Sequence, residues 1–158
     1  MKNVIPVILI LLVLIACHEN ETYHDTVHNK KPITERVKDL NKSMKEIRKT
    51  EKGKLIKEDV DYMEFEYPIG EGDSYVVSYL FDDKGVFEIG FDGYFAKAED
   101  AQLLLDQFKQ DIRAGNFGEE EENPKLIRWL NHSQSVTIEL DYHDVDKGMA
   151  VVTIFANE

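Results

Sequence analysis

Two histidines near the N-terminus have the spacing of a metal site. His24 and His28 are four residues apart, so a helix would place both imidazoles on one face. Imidazole nitrogens are common ligands of Zn²⁺, and His18 supplies a third ring nearby. However, residues 18–32 are polar and lack an apolar period, which is typical of a flexible tether without a scaffold to orient ligands. The sequence therefore predicts a solvated tether here, and no metal site.

Oxygen ligands are concentrated near the C-terminus, where Asp141, His143, Asp144 and Asp146 lie close together. Carboxylates on a turn are ligands that Ca²⁺ prefers, and the DVDKG sequence is similar to the start of an EF-hand loop. The twelfth position counted from Asp144 is Phe155, where an EF-hand requires a bidentate Glu. Asp and Gly also satisfy the backbone of a hairpin turn, so we interpret this segment as a structural turn.

An acidic run, Glu119–Glu122, precedes Asn123-Pro124 and predicts a loop. Such runs are commonly just solvated, but they can also steer a basic partner. Trp129 is the single tryptophan, and aromatic anchors suit interfaces, although one tryptophan in a small domain is more often part of the core. The candidate surface for a partner therefore consists of these residues: Glu119, Glu120, Glu121, Glu122 and Trp129.

The sequence carries no recognisable pattern of an enzyme site. GxSxG, HExxH, CxxC and P-loop motifs are all lacking. His132 and His143 lie near Ser133 and Ser135, but neighbours in sequence need not be neighbours in space. We therefore expect no catalytic residue, no cofactor and no enzymatic activity.

The formal net charge of -12 narrows the class of partner. Nucleic-acid binding needs a dense Lys/Arg surface, so the charge disfavours that class. It is compatible with a basic protein partner, or simply with solubility. The single Cys permits no internal disulfide, so the fold must depend on packing.

The N-terminal segment has the pattern of an export signal. An apolar run from Val4 to Ile15 follows Lys2, and it is short for a membrane-spanning helix but suits a signal peptide. It ends in Leu14-Ile15-Ala16-Cys17, which resembles the lipobox of bacterial lipoproteins. The resemblance covers only the first 17 residues and implies cleavage before Cys17 and acylation of that residue, as by palmitate. The alternative is a plain anchor helix with an incidental Cys.

This resemblance implies a division of the chain. Residues 1–16 would be the signal peptide, 17–32 the lipidated Cys with a flexible tether, and 33–158 one domain. The acidic residues after Cys17 resemble a surface-export signal of some Gram-negative lipoproteins, and His18 differs from the Asp that resembles an inner-membrane retention signal. We expect a lipid-anchored protein of the outer membrane, on its periplasmic or surface face.

The hydrophobic periods predict the elements that would position these groups. Period-three-and-four spacing indicates one helix over 33–50 and a second over 98–113. The sequence also predicts a loop at 51–58, a turn at 92–93 and a short helical turn at 125–130. Alternation and turn residues predict a strand and two hairpins at 61–67, 74–81 with 86–91, and 136–142 with 149–155.

Together these elements predict an α+β two-layer sandwich, with an antiparallel sheet of about five strands and two main helices on one face. The last strand is apolar on both faces and should be central. The function that we expect is a membrane-anchored, non-enzymatic binding or structural module of the envelope. The alternative is an immunity or inhibitor lipoprotein that neutralises a basic toxin or hydrolase.

Overall fold

The computed structural model describes residues 21–70 and 72–157. The signal-peptide pattern, Cys17 and His18 therefore lie outside the described residues. The helices are α1 (Tyr23–Lys30), α2 (Ile33–Arg36), α3 (Met44–Thr50) and α4 (Ala98–Ala114), with 3₁₀ turns at Val37–Asp39 and Val145–Lys147. The strands are β1 (Lys54–Asp59), β2 (Tyr62–Pro68), β3 (Ser74–Asp82), β4 (Gly85–Tyr94), β5 (Glu119–Asn123), β6 (Leu126–Asn131), β7 (Val136–Asp141) and β8 (Met149–Ala156).

The strands form one antiparallel sheet in the order β1-β2-β3-β4-β8-β7-β6-β5. Each half of the chain contributes helical residues followed by a four-stranded meander, and the two meanders meet where β4 pairs with β8. The predicted α+β class with an antiparallel sheet is confirmed. The strand count is eight rather than five, because three strands lack the alternation that marks a half-buried strand.

The core lies between one face of the sheet and the helices. The helix predicted over 98–113 is confirmed, and Gly115 ends it. One side of α4 is buried, at Ala101, Leu104, Leu105, Phe108 and Ile112. The ring of Phe108 meets that of Phe91 on β4 edge-on, with centroids 5.4 Å apart. Along each central strand, alternate residues point into this layer; they include Phe65, Tyr75, Val77, Tyr79, Ile89, Phe91, Val152, Ile154, Ile138 and Trp129.

The two hairpins and the central place of the last strand are confirmed. β3 and β4 turn at Gly85, which has a φ of 118° that favours glycine. β7 and β8 are joined through Gly148, with a φ of 78°. β8 lies between β4 and β7, as its continuous apolar character indicates.

Several predicted elements are wrong. Residues 33–50 form two short helices and a 3₁₀ turn instead of one helix, with Asn41 at φ 64° between them. Most of residues 51–58, predicted as a loop, belong to β1, and most of residues 125–130, predicted as a helical turn, belong to β6. The Asp92-Gly93 pair lies inside β4 and makes no turn. For β1, β4 and β6, pairing to a neighbouring strand supplies the backbone hydrogen bonds, whatever the local preference.

The prediction of a flexible tether at 17–32 is wrong for the residues of this segment that the structure describes. Residues 23–30 form α1, which begins with a capping box between Thr22 and Asp25. Val27 is fully buried, and Tyr23 packs on the ring of Phe95. No helix within the described residues is long and apolar enough to cross a membrane.

A buried ionic cluster holds residues 31–51 against the sheet. Arg36 is fully buried, and its Nη1 donates to Glu51 Oε1 at 3.2 Å and to the Tyr79 hydroxyl at 3.0 Å. The Tyr79 hydroxyl in turn lies 2.7 Å from Glu51 Oε1 and 3.0 Å from Asp39 Oδ2. Lys31 and Lys42 complete the group, which we call the buried ionic cluster: Lys31, Arg36, Asp39, Lys42, Glu51 and Tyr79.

The carboxylates of this cluster are stabilised in their charged form. Burial alone would raise the pKa of Asp39, but hydrogen bonds from Lys31 and Lys42 outweigh it and lower the pKa. Burial would likewise raise the pKa of Glu51, and the charge of Arg36 with the Tyr67 and Tyr79 hydroxyls lowers it. Every charge in the cluster thus has an internal partner, so the cluster serves to attach the N-terminal helices.

Candidate functional site

The second face of the sheet is the candidate site. Strand registers place on it the residues that alternate with the core, and their side chains are half-buried or exposed apart from Ser78 and Thr137. We call this surface the open face. Its apolar members include Tyr62, Val76, Leu80, Tyr94, Met149, Val151, Phe155, Leu126 and Leu130.

The open face is strongly acidic. The registers place three cationic side chains on it, Lys54, Lys57 and Arg128. The carboxylates on the same face are Asp59, Glu64, Glu66, Glu88, Asp92, Glu119, Glu121, Glu139 and Asp141. A mixed apolar and acidic surface of this kind complements a basic protein partner.

The centre of the open face carries small residues. Across the sheet, Glu64 pairs with Ser78, Ser78 with Gly90, Gly90 with Thr153, and Thr153 with Glu139. A Cβ on Gly90 would lie 2.4 Å from the Ser78 Oγ, so a larger residue there would force the Ser78 side chain to move. The row therefore has short side chains at Ser78, Gly90 and Thr153 between two glutamates, Glu64 and Glu139.

Two carboxylates near Gly90, Glu64 and Asp92, have no ion-pair partner within 4.0 Å among the described residues. Burial raises the pKa of Asp92, and the nearby charge of Glu64 raises it further. The Tyr62 hydroxyl donates to Glu64; burial and this hydrogen bond raise the pKa of Tyr62 to about 12. A cation brought between Glu64 and Asp92 would relieve their repulsion.

The acidic run of the sequence is a strand, which corrects the expectation of a loop. Residues 119–123 form the edge strand β5, and its alternation divides the run. Glu119 and Glu121 lie on the open face, whereas Glu120 and Glu122 lie on the helix side. Arg113 binds both of these, with its Nε 2.8 Å from Glu120 Oε2 and its Nη2 3.1 Å from Glu122 Oε2.

Trp129 does not form part of a contact surface in this structure. Its side chain is 1% exposed and lies in the core, and its Nε1 donates to Glu120 Oε2 at 3.1 Å. This corrects the sequence-based surface, which keeps only Glu119 and Glu121 on the open face. The reason is the register of β6, where Trp129 alternates with Arg128 and shares the core side with Ile127.

Residues 142–148 connect β7 to β8 and contain the second 3₁₀ turn. Asp141 accepts from the backbone N–H of His143 at 2.7 Å, and its Oδ1 lies 2.6 Å from the ring Nδ1. Asp144 pairs with Lys147 at 2.7 Å. The two carboxylates are therefore engaged with neighbours in sequence instead of converging on one point.

On the helix side, a groove of ≈ 610 Å³ runs between α4 and the β5–β6 turn. Several of its polar groups are paired: Lys109 Nζ lies 2.6 Å from Glu122, and the Tyr142 hydroxyl lies 3.2 Å from Asp106. Elsewhere on that side, His24 and His28 meet Asp111 of α4. Repulsion between Glu64 and the partly buried Asp92 distinguishes the centre of the open face from this groove.

Sequence reasoning missed Glu64 and Asp92 for different reasons. The alternation of residues 61–67 already placed Glu64 and Phe65 on different faces of the strand. It gave no reason to prefer Glu64 over other acidic residues as a site residue. Asp92 was hidden because Asp-Gly is a common turn pair. Comparison of the chain with protein-family models, curated proteins and solved structures finds no match. The function is therefore inferred from the site itself.

Proposed function

We propose that this chain is a lipid-anchored lipoprotein of the bacterial envelope whose domain is a non-enzymatic binding module. In this proposal the open face receives a basic protein partner. The observation that carries it concerns Glu64 and Asp92, at the centre of an acidic, partly apolar sheet face. Their carboxylates repel each other, and neither has an ion-pair partner among the described residues. Neither nucleic acid nor a cofactor enters the proposal.

The anchor is proposed from the N-terminal pattern. Acylation of Cys17 would hold the domain at a membrane, since each buried CH₂ contributes about 0.8 kcal/mol and several chains bind far better than one. Anchoring also raises the effective concentration of the domain near a membrane-associated partner. The outer membrane is the destination that the residues after Cys17 favour.

The open face suits a partner with a protruding Lys or Arg. In the proposed complex the cationic head would contact Glu64 on β2 and Asp92 on β4, the two strands that flank β3. Tyr94, with 43% of its surface exposed, supplies an aromatic contact at the end of β4. Pairing would restore a favourable environment for a carboxylate whose pKa is raised in the free domain.

The second candidate is an immunity or inhibitor lipoprotein that neutralises a basic toxin or hydrolase. The same acidic face favours it, because a stoichiometric inhibitor needs a charge-complementary surface rather than a catalytic site. The two candidates differ in what the partner does: a recruited partner keeps its activity when bound, whereas an inhibited hydrolase loses it in proportion to the complex formed.

A photocrosslinking experiment in intact cells tests the proposal. A photoreactive phenylalanine analogue replaces Tyr94 on the open face or, as the control, Leu103 on the outer side of α4, which is 53% exposed. We expect one basic protein to be captured from position 94 and not from position 103. Equal capture from both positions, or capture of acidic proteins alone, would contradict the open-face proposal.

Matched charge variants test the chemistry. The triple variant Glu64→Gln, Glu66→Gln and Asp92→Asn removes three charges from the open face. The control triple Glu35→Gln, Glu99→Gln and Asp83→Asn removes three exposed charges elsewhere. Affinity for the captured partner should fall about tenfold or more in the first and little in the second, with a weaker salt dependence in the first. Equal losses in the two would mean that only net charge matters.

The anchor has its own test. The full chain should fractionate with membranes and carry acyl chains on Cys17 by mass spectrometry, and Cys17→Ala should be released. A native chain that retains residues 1–16 without acylation would show the plain anchor helix instead.

A further inference from the structure

We propose that His24, His28 and Asp111 form a binding site for a divalent transition-metal ion, Zn²⁺ above all, that joins α1 to α4. The site lies on the helix side of the molecule. It is independent of the anchor and of the open face, and its test needs neither.

The local structure of α1 supplies the first part of the site. The capping box of Thr22 and Asp25 starts the helix, and its four-residue spacing puts His24 and His28 on one face. Their ring centroids are 5.5 Å apart. The His24 ring also lies 6.0 Å from that of Phe108, so packing on the core of α4 restricts its orientation.

The third group comes from α4, far away in sequence. Asp111 follows Phe108 by one turn, and its Oδ2 lies 2.6 Å from His24 Nε2 and 3.7 Å from His28 Nδ1. One ligand atom from each residue lies within 4.8 Å of the other two. Zn²⁺ with bonds of about 2.0–2.2 Å in tetrahedral geometry needs ligand atoms roughly 3.4 Å apart. Small side-chain adjustments therefore convert the observed arrangement into a coordinating one.

The chemistry of the ligands selects the class of metal. Two imidazoles and one carboxylate suit Zn²⁺ and its transition-metal neighbours, whereas Ca²⁺ and Mg²⁺ prefer oxygen ligands alone. The side chains of His24, His28 and Asp111 are 15%, 49% and 34% exposed. This access lets the ion enter and leaves a fourth position for water.

A histidine–carboxylate pair elsewhere in the molecule shows how the proposed site differs from an ordinary ion pair. His143 Nδ1 lies 2.6 Å from Asp141 Oδ1, as close as His24 is to Asp111. That pair is not part of any three-residue group among the described residues. A histidine next to a carboxylate is thus an ordinary ion pair, and the third ligand is what distinguishes the site on α1 and α4.

Metal binding would have a mechanical consequence for α1. The helix has eight residues, and helices this short are marginal without tertiary contacts. An ion that binds only the docked arrangement stabilises it by mass action. Zn²⁺ should therefore slow hydrogen exchange of the α1 amides.

Titration of the metal-stripped full chain in detergent with Zn²⁺ tests the site. We expect one ion per chain, and an affinity roughly 10- to 100-fold lower in His28→Gln and Asp111→Asn, since the loss of even an outer-shell partner commonly costs that much. The control His143→Gln should bind as the native chain does. His28 is half exposed, so its variant is expected to fold, which circular dichroism checks.

Hydrogen exchange gives a readout that does not depend on stoichiometry. Saturating Zn²⁺ should slow exchange in residues 23–30 by about tenfold or more in the native chain and in His143→Gln, and should leave Asp111→Asn unchanged. The proposal is overturned if the native chain binds no Zn²⁺, if His143→Gln weakens binding as much as Asp111→Asn does, or if bound Zn²⁺ leaves the exchange of α1 unaltered.

Discussion

The buried ionic cluster and the open face shift the pKa values of their carboxylates in opposite directions. Asp39 and Glu51 are enclosed beneath the N-terminal helices, where Lys31, Lys42 and Arg36 lower their pKa values. Asp92 is also partly buried, but burial and the charge of Glu64 raise its pKa. Burial opposes the charged form in both regions, so the sign of the shift depends on whether the domain itself supplies cations.

This difference separates charges that attach parts of the fold from charges left for another molecule. Removing one member of the buried ionic cluster leaves a desolvated ion without its partner, which costs stability. Removing a carboxylate from the open face relieves a repulsion inside the domain and removes a group available to a basic partner. The two regions should therefore respond to equivalent substitutions with opposite changes in stability.

The largest effect is expected for Glu51→Gln. The substitution leaves Arg36 buried without its counter-ion, and breaking a buried pair in this way costs about 3–5 kcal/mol of the free energy of unfolding. Urea denaturation measures it. The matched control is Glu35→Gln, whose exposed pair with Lys38 contributes about 0–1 kcal/mol. Similar small losses in both variants would mean that the buried pair does not stabilise the fold.

Tyr79→Phe should have the next largest effect. The hydroxyl accepts from Arg36 and lies within hydrogen-bonding distance of Glu51, so its loss leaves buried partners unsatisfied at a cost of about 1–3 kcal/mol. On the open face, Tyr62→Phe removes a half-buried hydroxyl whose partner Glu64 can turn to water, and less than about 1 kcal/mol is expected. A larger loss for Tyr62→Phe would reverse the comparison.

Acid should gradually reduce the stability that the buried ionic cluster contributes to the fold. The folded pKa values of Asp39 and Glu51 lie below their usual values, which are about 3.9 and 4.3 in unfolded chains. Their contribution to stability is therefore present above those values and is lost as the pH falls through the folded pKa values. Denaturation at a series of pH values should show this decline below about pH 4. Glu51→Gln should flatten it; an unchanged slope in that variant would assign the decline to other groups.

The smallest effect, of opposite sign, is expected for Asp92→Asn. Because the folded pKa of Asp92 is raised, its charge destabilises the domain at neutral pH, and the penalty disappears when the carboxyl is protonated. The variant should melt higher at pH 7, by on the order of 1–2 °C, and the gain should vanish in acid. Asp83→Asn in the exposed β3–β4 turn is the control. A lower melting temperature for Asp92→Asn would show that the charge is satisfied.

Strong local patterns predicted the centre of the fold. The apolar stripe from Ala101 to Ile112 was sufficient to predict α4, and alternation with turn glycines predicted the β3–β4 and β7–β8 hairpins. These elements bury one whole face, so their periodicity is visible in the residues. The sheet edges were missed because β1 and β5 bury almost none of their side chains, and pairing with β2 and β6 makes them strands.

The candidate site was predictable only in its chemistry. An acidic surface for a basic partner follows from the charge, but its location does not. The run at Glu119–Glu122 attracted attention because it is contiguous, although the β5 register turns half of it toward Arg113. The open face instead gathers single acidic residues from many strands, and no local pattern marks them.

The sequence by itself determined the α+β class, the helix α4, the central hairpins and the spacing of His24 and His28, because short-range periodicity encodes each of them. Tertiary structure alone decided that α1 is a docked helix, that Asp111, 87 residues after His24, joins the two histidines, and that Glu64 lies near Asp92. α1 is a polar helix of eight residues, so its sequence lacks the apolar periodicity from which a helix can be predicted. Its contacts, like those across the sheet, exist only once distant segments have come together.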